Sequence, residues 1–268
     1  MSRQHAARHV DLRWLAMRTA MHPWGRLILA VSTAGLGVVG LVASDFVGRW
    51  EPIPANIPLH RALAWSSGLY LLACGAGLTW PRTARAAALA LALFLLSWLV
   101  AFHGPLVAAA PFDASRWLYL GEVSAIACGA LTLWALPAHG RTTMAARLGF
   151  ALSLLTFGAS HFAYLQITAA TVPPYIPAPV TVTRITGAAH IAAGLALLSG
   201  LLPRLAALLE AAMMSSFVLL VDVPHVLLRP THRGPWTALF AEGALVGAAW
   251  VVAAALREPA ELAEWGRS

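Results

Sequence analysis

Eight ionisable side chains stand within or at the ends of apolar stretches: Asp45, His103, Glu122, His161, Arg184, His190, Asp222 and Glu242. Histidine beside carboxylate is proton-exchange chemistry, because an unperturbed imidazole pKa of about 6.5 lets it take up and release a proton near neutrality. The same residue types can also ligate a metal or orient the polar head of a small molecule. In a water-soluble protein such residues would be ordinary. This chain, however, is 59% hydrophobic and 11% charged, against roughly 45–50% and about 25% in soluble domains. An ionisable side chain inside an apolar span costs ~3 kcal/mol or more, so it turns toward the protein interior and finds a partner. The expected pairings are Arg184 with Glu242 or Asp222, and His190 with His161 or a glutamate. Plainer roles stand beside these: interhelical packing bonds for Glu122 and Glu242, a backbone carbonyl for His190, and an Arg184 that reaches out to headgroups. Glu210, six residues beyond Arg204, is expected near a membrane face and solvated.

These residues must be positioned by helices. Crossing ~30 Å of hydrocarbon takes about 20 apolar residues at 1.5 Å each. Such runs occur near 27–47, 62–80, 83–103, 116–136, 144–167, 180–200, 203–223 and 235–256. They are rich in Ala, Leu and Gly and lack the two-residue alternation of a membrane barrel. The fold class is therefore all-α, a polytopic membrane bundle of eight transmembrane helices. All 18 basic residues are Arg, a bias of composition rather than a set of binding residues. Twelve of them fall on one side and six on the other, which places both termini in the cytoplasm. The high pI is then a topology signal and not a nucleic-acid one, although the stretch Val10 to Met21 could lie on anionic lipid as an interfacial helix. Val42, Ala43 and Ser44 resemble a signal-peptide cleavage site, but the 26 residues before the first run are too long an n-region, and the run is expected to be retained as a span. Cys74 and Cys128 form no C-x-x-C and read as buried structural thiols.

The two halves resemble each other. Ile57-Pro58 aligns with Ile176-Pro177 at an offset of 119, and Gly68, Gly75, Arg85, Ala87 and Pro105 then fall on Gly187, Gly194, Arg204, Ala206 and Pro224. Ser44-Asp45-Phe46 matches Ser160-His161-Phe162 at an offset of 116. The expectation is two parallel four-helix repeats, 27–136 and 144–256. A basic cytoplasmic segment (1–26) precedes them, a cytoplasmic linker (137–143) joins them and a cytoplasmic tail (257–268) follows. Even-numbered units point the same way, about an axis along the membrane normal. Asp45 and His103 then occupy the positions of His161 and Asp222, so acid and histidine have exchanged places. If the two positions touch, an Asp-His pair survives in both halves; otherwise the exchange is coincidence.

The stretch Ser160-His161-Phe162, Val172 through Pro177, Thr186 through Leu195 and Pro203-Arg204-Leu205-Ala206-Ala207 resembles the DoxX-like family of small four-helix membrane proteins, which includes subunits of quinone-linked sulfur oxidation and MauE-type proteins. The family commonly has an acidic residue where His190 and Leu71 stand, and an aromatic at Arg184. The resemblance implies a bacterial inner-membrane protein in a respiratory or redox setting, working with a redox partner subunit. The eight polar residues are expected to form an outer-leaflet cluster that could hold a quinone headgroup or relay its protons, the cofactor itself being left open. No haem-attachment, Walker A, G-x-G-x-x-G or H-E-x-x-H motif occurs, so any redox group is lent by quinone, metal or partner. A small-solute transporter with a central site between the repeats, where Arg184 and His190 attract an anion, is the alternative. A structural scaffold is another. A metal site lacks close ligand spacing, and no metal ligand is assigned.

Overall fold

In the computed structural model, residues 2–136 and 141–256 are described, with side chains from residue 23 onward. The tail 257–268, most of the linker and the side chains of Val10 to Met21 lie outside the described residues. Eight helices are long and apolar enough to cross a membrane, and no strand occurs among the described residues. This is a multi-pass membrane protein.

The spans are α1 (Ser2–Ala43, apolar from Pro23), α2 (His60–Thr79), α3 (Ala84–Ala109), α4 (Ala114–Ala135), α5 (Arg141–Ala163), α6 (Pro179–Ser199), α7 (Pro203–Leu228) and α8 (Arg233–Ala255). Two of them run past the limits expected from hydropathy. In α3 and α7 a single wide turn, Leu99–His103 and Val218–Asp222, lets the helix continue to Ala109 and Leu228. Each wide turn is closed by an i to i−5 bond, Gly104 N to Leu99 O and Val223 N to Val218 O. The cause is legible: Pro105 and Pro224 come next, and a proline ring blocks the carbonyl one turn back and supplies no N–H. Widening the preceding turn accommodates the ring without ending the helix. It also turns His103 and Asp222, the last residues of the wide turns, into the protein, where both are buried.

Packing follows a regular order. The most buried spans, α4 and α8, lie against each other at the centre. Helix α1 packs on α2 and α8, while α5 packs on α6 and α4; α3 joins α2 to α4, and α7 joins α6 to α8. Lipid offers helices no hydrophobic reason to associate, so small residues that admit close backbone contact carry the interfaces. A Cβ on Gly37 would lie 2.5 Å from Gly68 O, and one on Gly158 would lie 2.6 Å from Gly187 O. Cys74 and Cys128 are free and buried.

The α1–α2 connection carries a short helical turn, Gly48–Trp50, and the α5–α6 connection a short helix, Leu165–Ala169. Both connections, with the C-terminal ends of α1, α3, α5 and α7, lie at one end of the bundle.

Candidate functional site

At that end α4, α5, α6, α7, α8 and the two connections line a half-open cavity of about 720 Å³. Its walls are largely apolar: Leu118, Phe157, Ile176, Val182, Met213, Met214, Phe217, Leu220 and Leu245 line it. Five of the eight sequence candidates, Glu122, His161, His190, Asp222 and Glu242, face this one space. They come from five different helices, and each is positioned by its place along its span.

His190 lies eleven residues along α6 from Pro179, about 16 Å deep. It is 2% exposed, and its Nδ1 is 2.6 Å from Glu210 Oε1. Glu210, also 2% exposed, is not solvated as its nearness to Arg204 suggested. Seven residues from Pro203 is already about 10 Å along α7, and that depth matches His190 on the antiparallel α6. Glu210 Oε2 is buried without a hydrogen-bond partner among the described residues. His161, at the end of α5, donates from Nδ1 to Phe157 O at 2.8 Å, and its ring centroid is 5.0 Å from that of His190. Phe157 and Phe217 pack edge-on against His190 at 5.7 and 6.1 Å. Glu122 accepts from Trp50 Nε1 at 2.7 Å. Asp222 and Glu242 line the cavity with no side-chain hydrogen bond to the described residues. Arg49 reaches in from the α1–α2 connection and donates to the Tyr119 hydroxyl.

The other three candidates lie elsewhere. Arg184 is exposed on the outside of α6 and pairs with neither Glu242 nor Asp222; five residues from the helix start, it is close enough for its long stem to reach headgroups. The supposed Asp-His pair is not formed. His103 donates from Nε2 to Trp50 O at 3.0 Å, and Asp45 bonds His60 Nε2 and Arg233 Nη1, both at 2.8 Å. His161 and Asp222 share the cavity, but His161 spends its Nδ1 on its own helix, so the exchange of acid and histidine reflects no conserved contact.

Asp45, His60 and Arg233 instead tie together the ends of α1, α2 and α8, with Arg233 also donating to Phe46 O. The bonds from His60 and then Arg233 hold the Asp45 carboxyl below its ordinary value. A depressed pKa contributes stability above the ordinary value of about 4 and loses it as pH falls through the lower folded value. Nearby, burial raises the Glu51 carboxyl, although Ser67 and the Val47 N–H bond it; its effect on stability with pH has the opposite sign. Comparison with Asp45→Asn isolates the first contribution. The melting temperature of the wild type should exceed that of the variant by a constant amount from pH 8 to about 5, and the gap should close below about pH 4. A gap that widens in acid would contradict this.

The corresponding space in the first half is filled. Residues 119 positions before His190, Glu210, Met213 and Phe217 are Leu71, Leu91, Phe94 and Trp98. They line a void of about 20 Å³, with Trp50 entering from the connection, room for about one water. Phe46, Phe94, Trp98 and Phe102 pack there at 4.8 to 5.9 Å, edge-on for Phe46–Trp98 and Phe94–Trp98 and tilted for Trp98–Phe102. Sequence reasoning found the polar residues but not this asymmetry. It also missed Glu210, Arg49 and Trp50; the one signal of the asymmetry was the larger Phe94 and Trp98 at the positions aligned with Met213 and Phe217.

Among the described residues no three His, Cys, Asp or Glu side chains converge to hold a metal ion. Against known families, residues 142–222 match the DoxX family model, a stretch that runs from the start of α5 to Asp222. No curated protein and no solved structure matches the chain.

Proposed function

We propose, taking the DoxX match over 142–222 as premise, that this membrane protein binds one ring compound of the quinone class in its cavity. In that role it acts as an accessory or quinone-interacting subunit in a respiratory or redox setting. The observation that carries the reading is the convergence of two histidines and three carboxylates in a largely apolar cavity of about 720 Å³. That volume lies in the 300–1,000 Å³ range of small-molecule sites, and such sites combine apolar walls with a few convergent polar groups. A membrane-soluble ring with polar oxygens is the complement: its body meets Phe217, Met213 and Leu245, and its oxygens meet His161 and His190. The histidines and carboxylates can also exchange protons with such a headgroup.

The arrangement belongs with this reading. α1 sits on α2 and α8 just as α5 sits on α6 and α4, and left-handed residues precede α2 and α6 at Leu59 and Ala178, 119 positions apart. These correspondences support two parallel repeats, 27–136 and 144–256, with the second retaining the site. They weigh against a transporter whose halves rock about one shared central site, because the cavity, although Arg49, Leu118 and Glu122 of the first half also line it, has a filled counterpart in that half. The excess of Arg on the opposite end supports cytoplasmic termini in a bacterial inner membrane, with the cavity toward the outer leaflet and any redox partner subunit docking there.

Native mass spectrometry of the detergent-purified chain with a decyl-substituted benzoquinone tests the proposal. One adduct per chain is expected; lipid adducts alone, at quinone concentrations that saturate known quinone proteins, would sink it.

A further inference from the structure

The two cavity histidines differ in what they offer a ligand, because their other nitrogens are committed differently. A carbonyl oxygen only accepts, so the bond from His161 Nδ1 to Phe157 O at 2.8 Å puts the ring's proton on Nδ1. With that carbonyl as its one hydrogen-bond partner among the described residues, the ring stays neutral in a membrane cavity, and its Nε2 is left as a lone pair. His190 Nδ1 faces Glu210 Oε1 at 2.6 Å in a place where both residues are 2% exposed. Net charge is disfavoured at that depth. In both neutral arrangements, imidazolium with carboxylate or imidazole with carboxylic acid, Nε2 carries a hydrogen. An acceptor and a donor therefore stand side by side, with ring centroids 5.0 Å apart.

The rest of the lining adds mainly acceptors, with donors left on the Arg49 guanidinium, the Thr168 hydroxyl and a protonated Asp222 or Glu242. Ser160, Thr183, Thr186 and Ser216 spend their hydroxyl protons on carbonyls of their own helices and have only lone pairs left. Asp222 and Glu242 each retain an acceptor oxygen in either protonation state. Glu122 accepts from Trp50, and the Arg49 guanidinium bonds Tyr119.

We propose that the cavity distinguishes the two redox forms of its ring ligand and takes the hydroxylated hydroquinone in preference to the dicarbonyl quinone. This rests on the quinone-class reading above. A hydroquinone O–H donates to His161 Nε2 while a ring oxygen accepts from His190 Nε2–H. A quinone carbonyl only accepts; it satisfies His190 and leaves the His161 lone pair, with the surplus of acceptors, desolvated and unpartnered. An unmatched buried acceptor typically changes affinity by about tenfold or more.

The test uses the full-length chain in detergent under anaerobic conditions, with the decyl-substituted benzoquinone and the same molecule reduced to its hydroquinone, each titrated by native mass spectrometry. The wild type should bind the hydroquinone about tenfold more tightly. His161→Phe, which keeps a ring and removes the acceptor, should bring the ratio near one by weakening the hydroquinone alone. Equal affinities in the wild type, or tighter binding of the quinone, overturn the preference and leave the quinone-class reading standing. Binding of neither form overturns both. The wild-type ratio decides the matter even if the variant does not fold.

Discussion

His190→Leu should be among the most damaging single substitutions in the chain, and the cure should be a second substitution that also removes a polar group. The leucine leaves Glu210 as a carboxyl buried within the span without its one hydrogen-bond partner among the described residues. Breaking a buried pair from one side typically costs about 3–5 kcal/mol, whereas replacing both members by packed apolar residues is often neutral or stabilising. The first half carries the apolar solution already: Leu71 and Leu91, at the corresponding positions, are 5% and 1% exposed within the core. Thermal unfolding in detergent should therefore show His190→Leu and Glu210→Leu each sharply destabilised, and the double variant back near the wild type. A double variant as damaged as the sum of the singles would mean the two residues do not act as a unit.

The second large effect concerns space. Met213→Phe with Phe217→Trp gives α7 the side chains that Phe94 and Trp98 present in the first half, where the equivalent void is about 20 Å³. Because these substitutions enlarge side chains that line open space rather than a packed core, they avoid the usual penalty of overpacking. The variant should fold with a melting temperature at or above that of the wild type and lose quinone binding by about tenfold or more, as expected from crowding the α7 wall of the site. Retained binding in a folded variant would place the ligand elsewhere.

Which parts of this were legible in the sequence has a physical explanation. Eight spans follow from hydropathy, because lipid demands that every backbone group be satisfied within a helix. The convergence of Glu122, His161, His190, Asp222 and Glu242 was foreseeable as a cluster, since all five lie at compatible depths and ionisable groups avoid lipid. Partners were less legible. Asp45 was matched to His103 by repeat position, yet its bonds go to His60 and Arg233, which sit at neighbouring helix ends. Arg184 was assigned inward by its charge, but a long side chain near a helix end can satisfy itself outside. Glu210 was misjudged because sequence distance from an arginine is not depth: α7 starts at Pro203, and two turns suffice to leave the interface. Hydropathy also says nothing of volume, so the open cavity on one side and the aromatic filling on the other had to come from the side chains in place.

The wide turns of α3 and α7 carry a consequence of another kind. In a regular helix, losing one residue rotates everything beyond it by about 100° and usually ruins the interface. At Val218–Asp222 the chain already holds one residue more than a regular turn needs. A deletion there would restore the tighter winding, swing a valine into the place of Asp222, and leave Pro224 to be absorbed by a kink. A one-residue deletion is therefore expected to disturb the register less at these two points than elsewhere along the spans. A lineage could add or withdraw an acid from the chamber by altering the length of its chain and not its spelling.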